Sequence, residues 1–385
     1  MRSTRSRIVR AALAVALTPF ALHAQDASAQ KVEVHGFGTW NYGSTNNSNL
    51  YLGGKQNGTS SNSGLSLNVS GQLSDRLAVS SQVELDFNAS GETITDLDYV
   101  FGEWRVNDAF KLRAGQVKQP FGIYTEVYDV GTVRPFLSLP QSVYGLSGMI
   151  GEAYRGVGFT GSRAIGGWEL AYDAYTGGLN RLEDEAPGDF YRILNGTTDD
   201  TLGVEGMGGE TTDRLYGGRV WLSTPLSGLR FGGSTYRGES FEEGEDDEVI
   251  SAYAGSIEYA ANRVTLRTEY VHTWENDNDN MTGYYVEGSL RPWGKWEIAG
   301  MFDDWRADLD GAEYKDALSL IRHKELAAGL NYRFSPNFVL KMSHHWVDGN
   351  RFAMPTIETM VDRLRAGEAL ERKTKTLLFG AQLSF

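Results

Sequence analysis

The chain has 385 residues, with 36 Lys and Arg against 50 Asp and Glu, a formal net charge of −14 and no cysteine. This acidic balance argues against a nucleic-acid partner, because nucleic-acid binders carry a basic surface. Without cysteine there is no disulfide framework, cysteine-ligated zinc, iron–sulfur cluster or thiol nucleophile. Beyond the N-terminus no apolar run reaches the roughly 18 residues that a membrane-spanning helix needs. A large soluble protein and a transmembrane β-barrel, in which only alternate residues face lipid, both remain.

Residues 1–29 have the pattern of a cleaved secretory signal peptide. Arginines at positions 2, 5, 7 and 10 precede a short apolar stretch at 11–22, and small residues at 27–29 suit a signal peptidase. Cleavage after Ala29 is predicted, with Ala24 as the alternative. No second apolar segment follows to stop transfer, so residues 30–385 are expected to leave the cytoplasm as one mature domain.

The mature sequence reads as a series of hairpins. Runs of roughly ten alternating polar and apolar residues flank each turn, a length that crosses a bilayer when tilted. One run places Met342 and His344 on one face and Lys341 and His345 on the other. With terminal runs at 32–42 and 373–385, the pattern predicts an all-β fold, a transmembrane antiparallel β-barrel of about 16 strands. The seven short polar turns lie at residues 74–76, 107–109, 164–167, 224–228, 261–263, 292–295 and 335–337.

The connections between hairpins are longer than these turns. Short turns at one end and long loops at the other are typical of the periplasmic and extracellular ends of an outer-membrane barrel. All nine tryptophans lie near predicted strand ends, as expected of aromatic girdles at two membrane interfaces. A soluble sandwich or propeller, the alternative, would show shorter strands and a fixed repeat. The predicted long loops are 43–64, 90–93, 120–155, 177–213, 240–248, 276–280, 307–323 and 349–372.

Two segments resemble a known family. The last strand, residues 375–385, is similar to the terminal signature of Gram-negative outer-membrane proteins, an alternating strand ending in Phe385. Residues 112–122, LRAGQVKQPFG, resemble the strand that leads into the third loop of phosphate-selective porins. The resemblance implies a porin that contacts outer-membrane lipid and lipopolysaccharide and forms a homotrimer. It also implies that the barrel-assembly machinery recognises the last strand. It implies no cofactor.

A barrel of this size needs something to narrow its lumen. Sixteen strands enclose a space too wide for side chains to fill, so water occupies it unless a loop folds inward. The third long loop is unusually apolar for a segment standing in water, and the resemblance implies that it forms the constriction. An extracellular lid or an intersubunit contact is the alternative. The predicted constriction residues are Tyr124, Glu126, Tyr128, Asp129 and Arg134.

Charges of both signs fall on the lumen-facing side of the alternation. Neighbouring strands are expected to pair many of them, and the third loop lacks the lysines expected of phosphate-selective relatives. The prediction is passive diffusion of ions and small hydrophilic solutes across the outer membrane, with a bias toward anions as one outcome and cation preference as the other. The predicted lumen charges are Arg105, Lys111, Arg113, Arg219, Arg230, Arg267, Arg333, Lys341, Glu84, Glu103 and Glu269.

Two other functions are open to an outer-membrane barrel: a non-conducting receptor or adhesin, and a hydrolase. His344 and His345 are adjacent in a strand and point to opposite faces, so they cannot form one site. Two acidic pairs near outer strand ends, Asp303 with Asp304 and Asp96 with Asp98, are the feature that favours an acid protease. We predict no enzyme activity, no catalytic residues and no metal site. The acidic runs at 183–185, 199–200 and 242–248 are expected to be solvated, with divalent-cation bridging to lipopolysaccharide as the alternative.

Overall fold

The computed structural model describes eleven parts of the chain. The predicted signal peptide and, apart from Glu248, the three acidic runs lie outside them. Within the described parts, no helix is both long and apolar enough to span a bilayer. The described residues are 31–46, 58, 63–87, 93–107, 109–145, 149–180, 211–240, 248–275, 279–308, 322–352 and 371–385.

Sixteen antiparallel strands form a closed barrel, so the fold prediction is confirmed. Each strand pairs with its neighbours in chain order, and the first pairs with the last. In chain order the strands are β1 Val32–Thr45, β2 Ser63–Ser74, β3 Leu77–Phe87, β4 Thr93–Asn107, β5 Phe110–Lys118, β6 Ala153–Ile165, β7 Trp168–Asn180, β8 Thr211–Ser223, β9 Leu229–Ser240, β10 Glu248–Ala261, β11 Val264–Glu275, β12 Asp279–Trp293, β13 Trp296–Asp308, β14 Arg322–Ser335, β15 Phe338–Gly349 and β16 Lys373–Ser384.

All seven predicted short turns join paired strands at one end of the barrel, which we call the short-turn end; the opposite end is the long-loop end. Several strands run further toward the long-loop end than predicted. β7 continues to Asn180, although Gly177 and Gly178 suggested a loop. Gly177 instead pairs with Gly156, and a Cβ on Gly177 would lie 2.1 Å from the Arg155 carbonyl oxygen. The glycines therefore allow two backbones to approach within the ladder.

The alternation along each strand separates an outer apolar face from an inner polar face. In β15 the side chains of Met342 and Trp346 are exposed, whereas Lys341 and His345 on the other face are buried. The apolar stripes are therefore directed outward, as a lipid-facing barrel requires. The main buried apolar cluster lies inside, where the inner wall meets the segment between β5 and β6.

The tryptophan prediction is wrong for two of the nine residues. Trp221 and Trp305 are buried, the latter at 1% exposure, while the other seven are exposed. Trp221 shares its strand face with Arg219, and Trp305 shares its face with Asp303, both of which point inward. Strand parity thus places these two rings in the lumen, although their height along the barrel suits a girdle.

The seam between β1 and β16 closes the barrel. The N–H of Gly36 donates to the carbonyl oxygen of Phe385 at 3.0 Å, and the N–H of Phe385 donates back to Gly36 at 3.0 Å. A Cβ on Gly36 would lie 2.2 Å from the Phe385 ring. Glycine at this position therefore leaves room for the terminal aromatic side chain.

Candidate functional site in the barrel lumen

The third loop, residues 119–152 between β5 and β6, makes many contacts with the inner wall of the barrel. It includes two short 3-10 helices, Thr125–Val127 and Gly131–Val133, and one short α-helix, Gln141–Tyr144. Its described residues hydrogen bond to side chains of β3, β8, β9 and β11 to β15. These strands lie on different sides of a closed barrel, and the contacts are made on their polar faces.

Glu269 on β11 is the most heavily bonded of these partners. It accepts hydrogen bonds from the N–H of Ile123 at 2.9 Å and from the hydroxyl of Tyr144 in the third loop. From the wall it accepts the hydroxyls of Ser256 and Tyr285, both at 2.7 Å. Its side chain is buried. One carboxylate thus joins two points of the loop to three strands.

Glu287 on β12 forms the next contact. It accepts a hydrogen bond from the hydroxyl of Tyr124, and Arg267 donates to that same hydroxyl at 2.8 Å and to Glu287 at 3.3 Å. Burial raises the pKa of the Tyr124 and Tyr144 hydroxyls well above the ordinary value. Both phenols therefore remain protonated and act as donors to the carboxylates.

Lys341, Arg333 and Asn331 hold the loop by its carbonyl groups. The Lys341 ammonium donates to the carbonyl oxygens of Gly131 at 2.8 Å, Arg134 at 2.6 Å and Phe136 at 3.1 Å. Arg333 donates to the Thr132 carbonyl and Asn331 to the Pro135 carbonyl. Lys341 was predicted as a lumen charge and is instead fully buried, satisfying loop carbonyls that would otherwise lack donors.

Gly122 allows the loop to enter close to the wall. Its φ is 61°, in the left-handed region that favours glycine. A Cβ there would lie 2.6 Å from the Glu269 carboxylate oxygen and 2.6 Å from the Tyr144 hydroxyl. Its N–H donates to the Ser234 hydroxyl at 3.0 Å. The last residue of the family-like segment 112–122 thus has a local steric reason to be glycine.

Ion pairs line the wall toward the short-turn end. Several bases are more exposed than the acids that they contact. Arg230 is 36% exposed against 12% for Glu258, and Arg333 is 19% exposed against 4% for Glu297. The pairs are Lys111 and Arg113 with Glu103, Arg230 and Arg267 with Glu258, Arg219 with Asp173 and Glu126, and Arg333 with Glu297.

A second charged group, which we call the carboxylate cluster, lies higher in the barrel. Lys118, the last residue of β5, contacts Asp98 at 2.5 Å, Glu152 at 2.6 Å and Asp129 at 3.5 Å. Gln82 donates to both aspartates, at 2.6 and 2.7 Å. The oxygens of Glu84, Asp129 and Glu152 lie within 4.8 Å of one another. The cluster consists of Glu84, Asp86, Asp98, Asp129 and Glu152, and Lys118 is the base that forms ion pairs with it among the described residues.

The structure divides the predicted site residues into different environments. Of the predicted constriction residues, Tyr124 is buried, Glu126 and Tyr128 are exposed, and Asp129 and Arg134 are half-buried. Arg134 donates to the carbonyl oxygens of Tyr128 and Leu137 within the loop. Of the predicted lumen charges, Glu84 is half-buried and Glu269 is buried, and Arg105 is exposed near the short-turn end.

Sequence reasoning did not assign Lys118 or Asp98 to the lumen, and it placed Glu287 on a polar strand face without pairing it with Tyr124. Lys118 lies within the family-like segment, and Asp98 was noted as an acidic residue near a strand end, but neither was assigned to the lumen. Contacts between Glu287 and Tyr124 join positions far apart in the chain, which alternation cannot reveal.

Comparison with solved structures shows the same fold in outer-membrane proteins. Salmonella typhi OmpF, in complex with daunomycin, matches with a TM-score of 0.59 and 12% identity, over 92% of this chain and 98% of that chain. An anion-selective porin from Comamonas acidovorans matches with a TM-score of 0.58 and 11% identity, over 92% and 100%. In-vitro folded OmpT of Vibrio cholerae, in its trimer form, matches with a TM-score of 0.54 and 11% identity, over 93% and 100%.

Comparison of the sequence with protein families gives a match. No curated protein matches the chain significantly. The family model for phosphate-selective porin O and P, in contrast, matches residues 40–367, from β1 to beyond β15. Together with a closed barrel of sixteen strands, this match identifies the chain as a member of the phosphate-selective porin O and P family.

Proposed function

We propose that this porin is a passive diffusion channel for ions and small hydrophilic solutes across the outer membrane. The observation that carries the proposal is the attachment of the third loop to lumen-facing side chains such as Glu269, Glu287 and Lys341. A segment held in this way occupies part of the lumen and limits the size of solutes that pass. Family membership favours a channel over an enzyme; the absence of catalytic activity stays a prediction.

The arginine-bearing wall supports a bias toward anions. Lys111 is 32% exposed against 18% for its partner Glu103, and Arg230 shows the same inequality with Glu258. A solute that enters from the short-turn end therefore meets more cationic than anionic side-chain surface. The family's description names phosphate, but the third loop here carries acids beside few bases, so we propose a weak anion bias without strong preference for phosphate.

The carboxylate cluster opposes that bias. Glu152 is half-buried and Asp86 is exposed, so their charges remain in contact with water. Lys118 is the one base that contacts the cluster through ion pairs in the part of the chain described. The two groups lie at different heights, and we propose that they act in series on a permeating ion.

Planar-bilayer recording of the refolded protein tests the channel and its bias. Stepwise conductance with a reversal potential toward anions in a KCl gradient is expected. Arg230→Gln together with Lys111→Gln should move the reversal potential toward cations without loss of conductance steps. Absence of steps from a folded, heat-modifiable barrel would overturn the channel proposal. Cation preference in the unmodified protein would overturn the anion bias alone.

Deletion of residues 124–145 tests the role of the third loop. Single-channel conductance should rise, because the loop no longer occupies the lumen. Unchanged conductance from a folded deletion variant would show that the loop does not set the size limit. The double variant Tyr124→Phe with Tyr144→Phe removes two loop hydroxyls while keeping the rings, and should give intermediate, noisier currents.

Assembly and targeting complete the proposal. We propose that the chain is exported by a signal peptide cleaved after Ala29, and that its last strand, ending in Phe385, is recognised by the barrel-assembly machinery. Its exposed apolar face would contact lipid and lipopolysaccharide. We propose a homotrimer, supported by the trimer form of the similar OmpT barrel. Cross-linking of the purified protein in detergent should give a trimer band; monomer alone would contradict this assembly.

A further inference from the structure

Four buried side chains gather on the inner face of β13, β14 and β15, toward the long-loop end. They are Asp303 on β13, His323 and Glu325 on β14, and His345 on β15. Asp303 and Glu325 are register partners in adjacent strands, which sets their side chains side by side. All four are at most 1% exposed. None of them contacts the ion pairs or the carboxylate cluster described above.

The spacing of three of these groups matches that of ligands around one metal ion. His323 Nε2 lies 3.4 Å from Asp303 Oδ2 and 3.3 Å from Glu325 Oε2. The donor atoms of the three residues all lie within 4.8 Å of one another. A tetrahedral ion with bonds of about 2.0–2.1 Å to histidine nitrogen and carboxylate oxygen separates its ligand atoms by about 3.3–3.4 Å.

A shared proton explains these distances less well. A charge-assisted hydrogen bond between imidazolium and carboxylate would usually measure about 2.7–2.9 Å. Both contacts of His323 Nε2 exceed that range by about half an ångström. The contact between His345 Nδ1 and Glu325, in contrast, is a short hydrogen bond. Within one cluster, therefore, one histidine shows hydrogen-bond spacing and the other shows ligand spacing.

The surrounding groups hold the two carboxylates in place. Glu325 uses Oε1 for His345 and directs Oε2 toward His323. His345 in turn contacts the Ser343 hydroxyl through Nε2 at 2.7 Å. The Ser142 N–H of the third loop donates to both oxygens of Asp303, at 3.1 and 3.3 Å. Such outer partners orient metal ligands in protein sites.

We propose that Asp303, His323 and Glu325 bind a divalent transition-metal cation of the Zn²⁺ class. One imidazole and two carboxylates are a donor set that such ions accept, and three protein ligands leave a further position for water. Two carboxylates balance the charge of a divalent ion beside a neutral imidazole. Because Asp303 also accepts the Ser142 N–H, the bound ion fixes the short helix Gln141–Tyr144 of the third loop to the wall.

Metal binding to the full chain, refolded without a histidine tag, tests the site directly. Because the three ligands are buried, the ion is supplied during refolding, with a chelator-treated sample as the reference. Zn²⁺ should be retained in stoichiometric amount after desalting, and it should raise the temperature at which the barrel loses its folded gel mobility. Co²⁺ should give the visible absorption of a tetrahedral site.

Matched histidine variants separate the site from surface binding. His323→Gln removes a ligand and should weaken binding by more than about 100-fold, and His345→Gln, which orients Glu325, by about 10-fold to 100-fold. His344→Gln is the control, because this half-buried neighbour of the buried His345 points to the opposite face of β15. It should bind as the unmodified protein does.

Three results would overturn the proposal. One is a folded, unmodified barrel that retains no Zn²⁺ and shows no Co²⁺ bands. Another is full binding by His323→Gln. The third is equal loss of binding in His344→Gln. None of these readouts depends on conductance, so their failure is distinct from failure of the channel proposal. If His323→Gln does not fold, the first result still decides.

Discussion

Carboxylates on two parts of the lumen wall have different environments. On β11 and β12, Glu269 and Glu287 are buried and accept hydrogen bonds from third-loop donors. On β3, Glu84 is half-buried and Asp86 is exposed, close to the loop acids around Lys118. One residue type is thus found in two environments in this barrel. Buried acids with several donors attach the loop, whereas the acids in contact with water are those that we propose to act on permeating ions.

Among variants that disturb the attachment of the third loop, Glu269→Ala should have the largest effect on stability. It leaves the hydroxyls of Tyr144 and Tyr285 buried without their acceptor, at about 1–3 kcal/mol each. The free energy of unfolding should fall by about 3 kcal/mol, and the currents should become noisier as the loop loosens. Urea unfolding and single-channel recording measure these effects. Glu269→Gln keeps one acceptor oxygen and should fall between; an Ala variant with unchanged stability and currents would remove Glu269 from the attachment.

Gly122→Ala should cause the next largest loss of stability among the variants that disturb the attachment of the third loop. The left-handed conformation costs a non-glycine residue about 1–2 kcal/mol, and the new Cβ would press on Glu269 and Tyr144. A total loss of about 2 kcal/mol or more is expected from urea unfolding. Gly166→Ala is the matched control, because Gly166 has φ 57° and nothing within 4 Å of a Cβ. Equal losses at both positions would contradict close packing at Gly122.

Asp86→Asn should have the smallest effect on stability and a clear effect on selectivity. Asp86 is exposed, and its replacement removes one negative charge from a group of acids that, among the described residues, forms ion pairs with one base, Lys118. Like-charge repulsion therefore decreases, and the barrel should be as stable as before or slightly more so. The reversal potential should move toward anions. A loss of stability as large as that of Glu269→Ala would erase the distinction between the two walls.

The fold was largely predictable because its signal is local. Strand alternation, polar turns and the terminal Phe385 depend on neighbours in sequence, and they placed all seven short turns correctly. Strand parity also put Lys341 and His345 on the inner face, where they lie. The strand alternation predicts on which face of the barrel a side chain lies, but it does not predict the contacts that the side chain makes there.

The site was less predictable because its contacts join distant positions. Lys341 was predicted as a lumen charge, and it lies buried against three carbonyl groups of a loop some two hundred residues earlier in the chain. Asp303 was noted only beside Asp304, which points to the other face, and its partners His323 and Glu325 lie on the next strand. Trp221 and Trp305 lie near strand ends, as girdle residues do, but their positions in the strand alternation direct their side chains to the lumen.

The pairing of β1 with β16 has a consequence for biogenesis. These strands are furthest apart in the chain, so their pairing carries the largest loop-closure entropy of the neighbouring strand pairs. Polypeptide that lacks β16 would hold two unpaired edges, each a template for association with other chains. The ring therefore cannot close without the C-terminal segment, and until it closes both edges stay open to association.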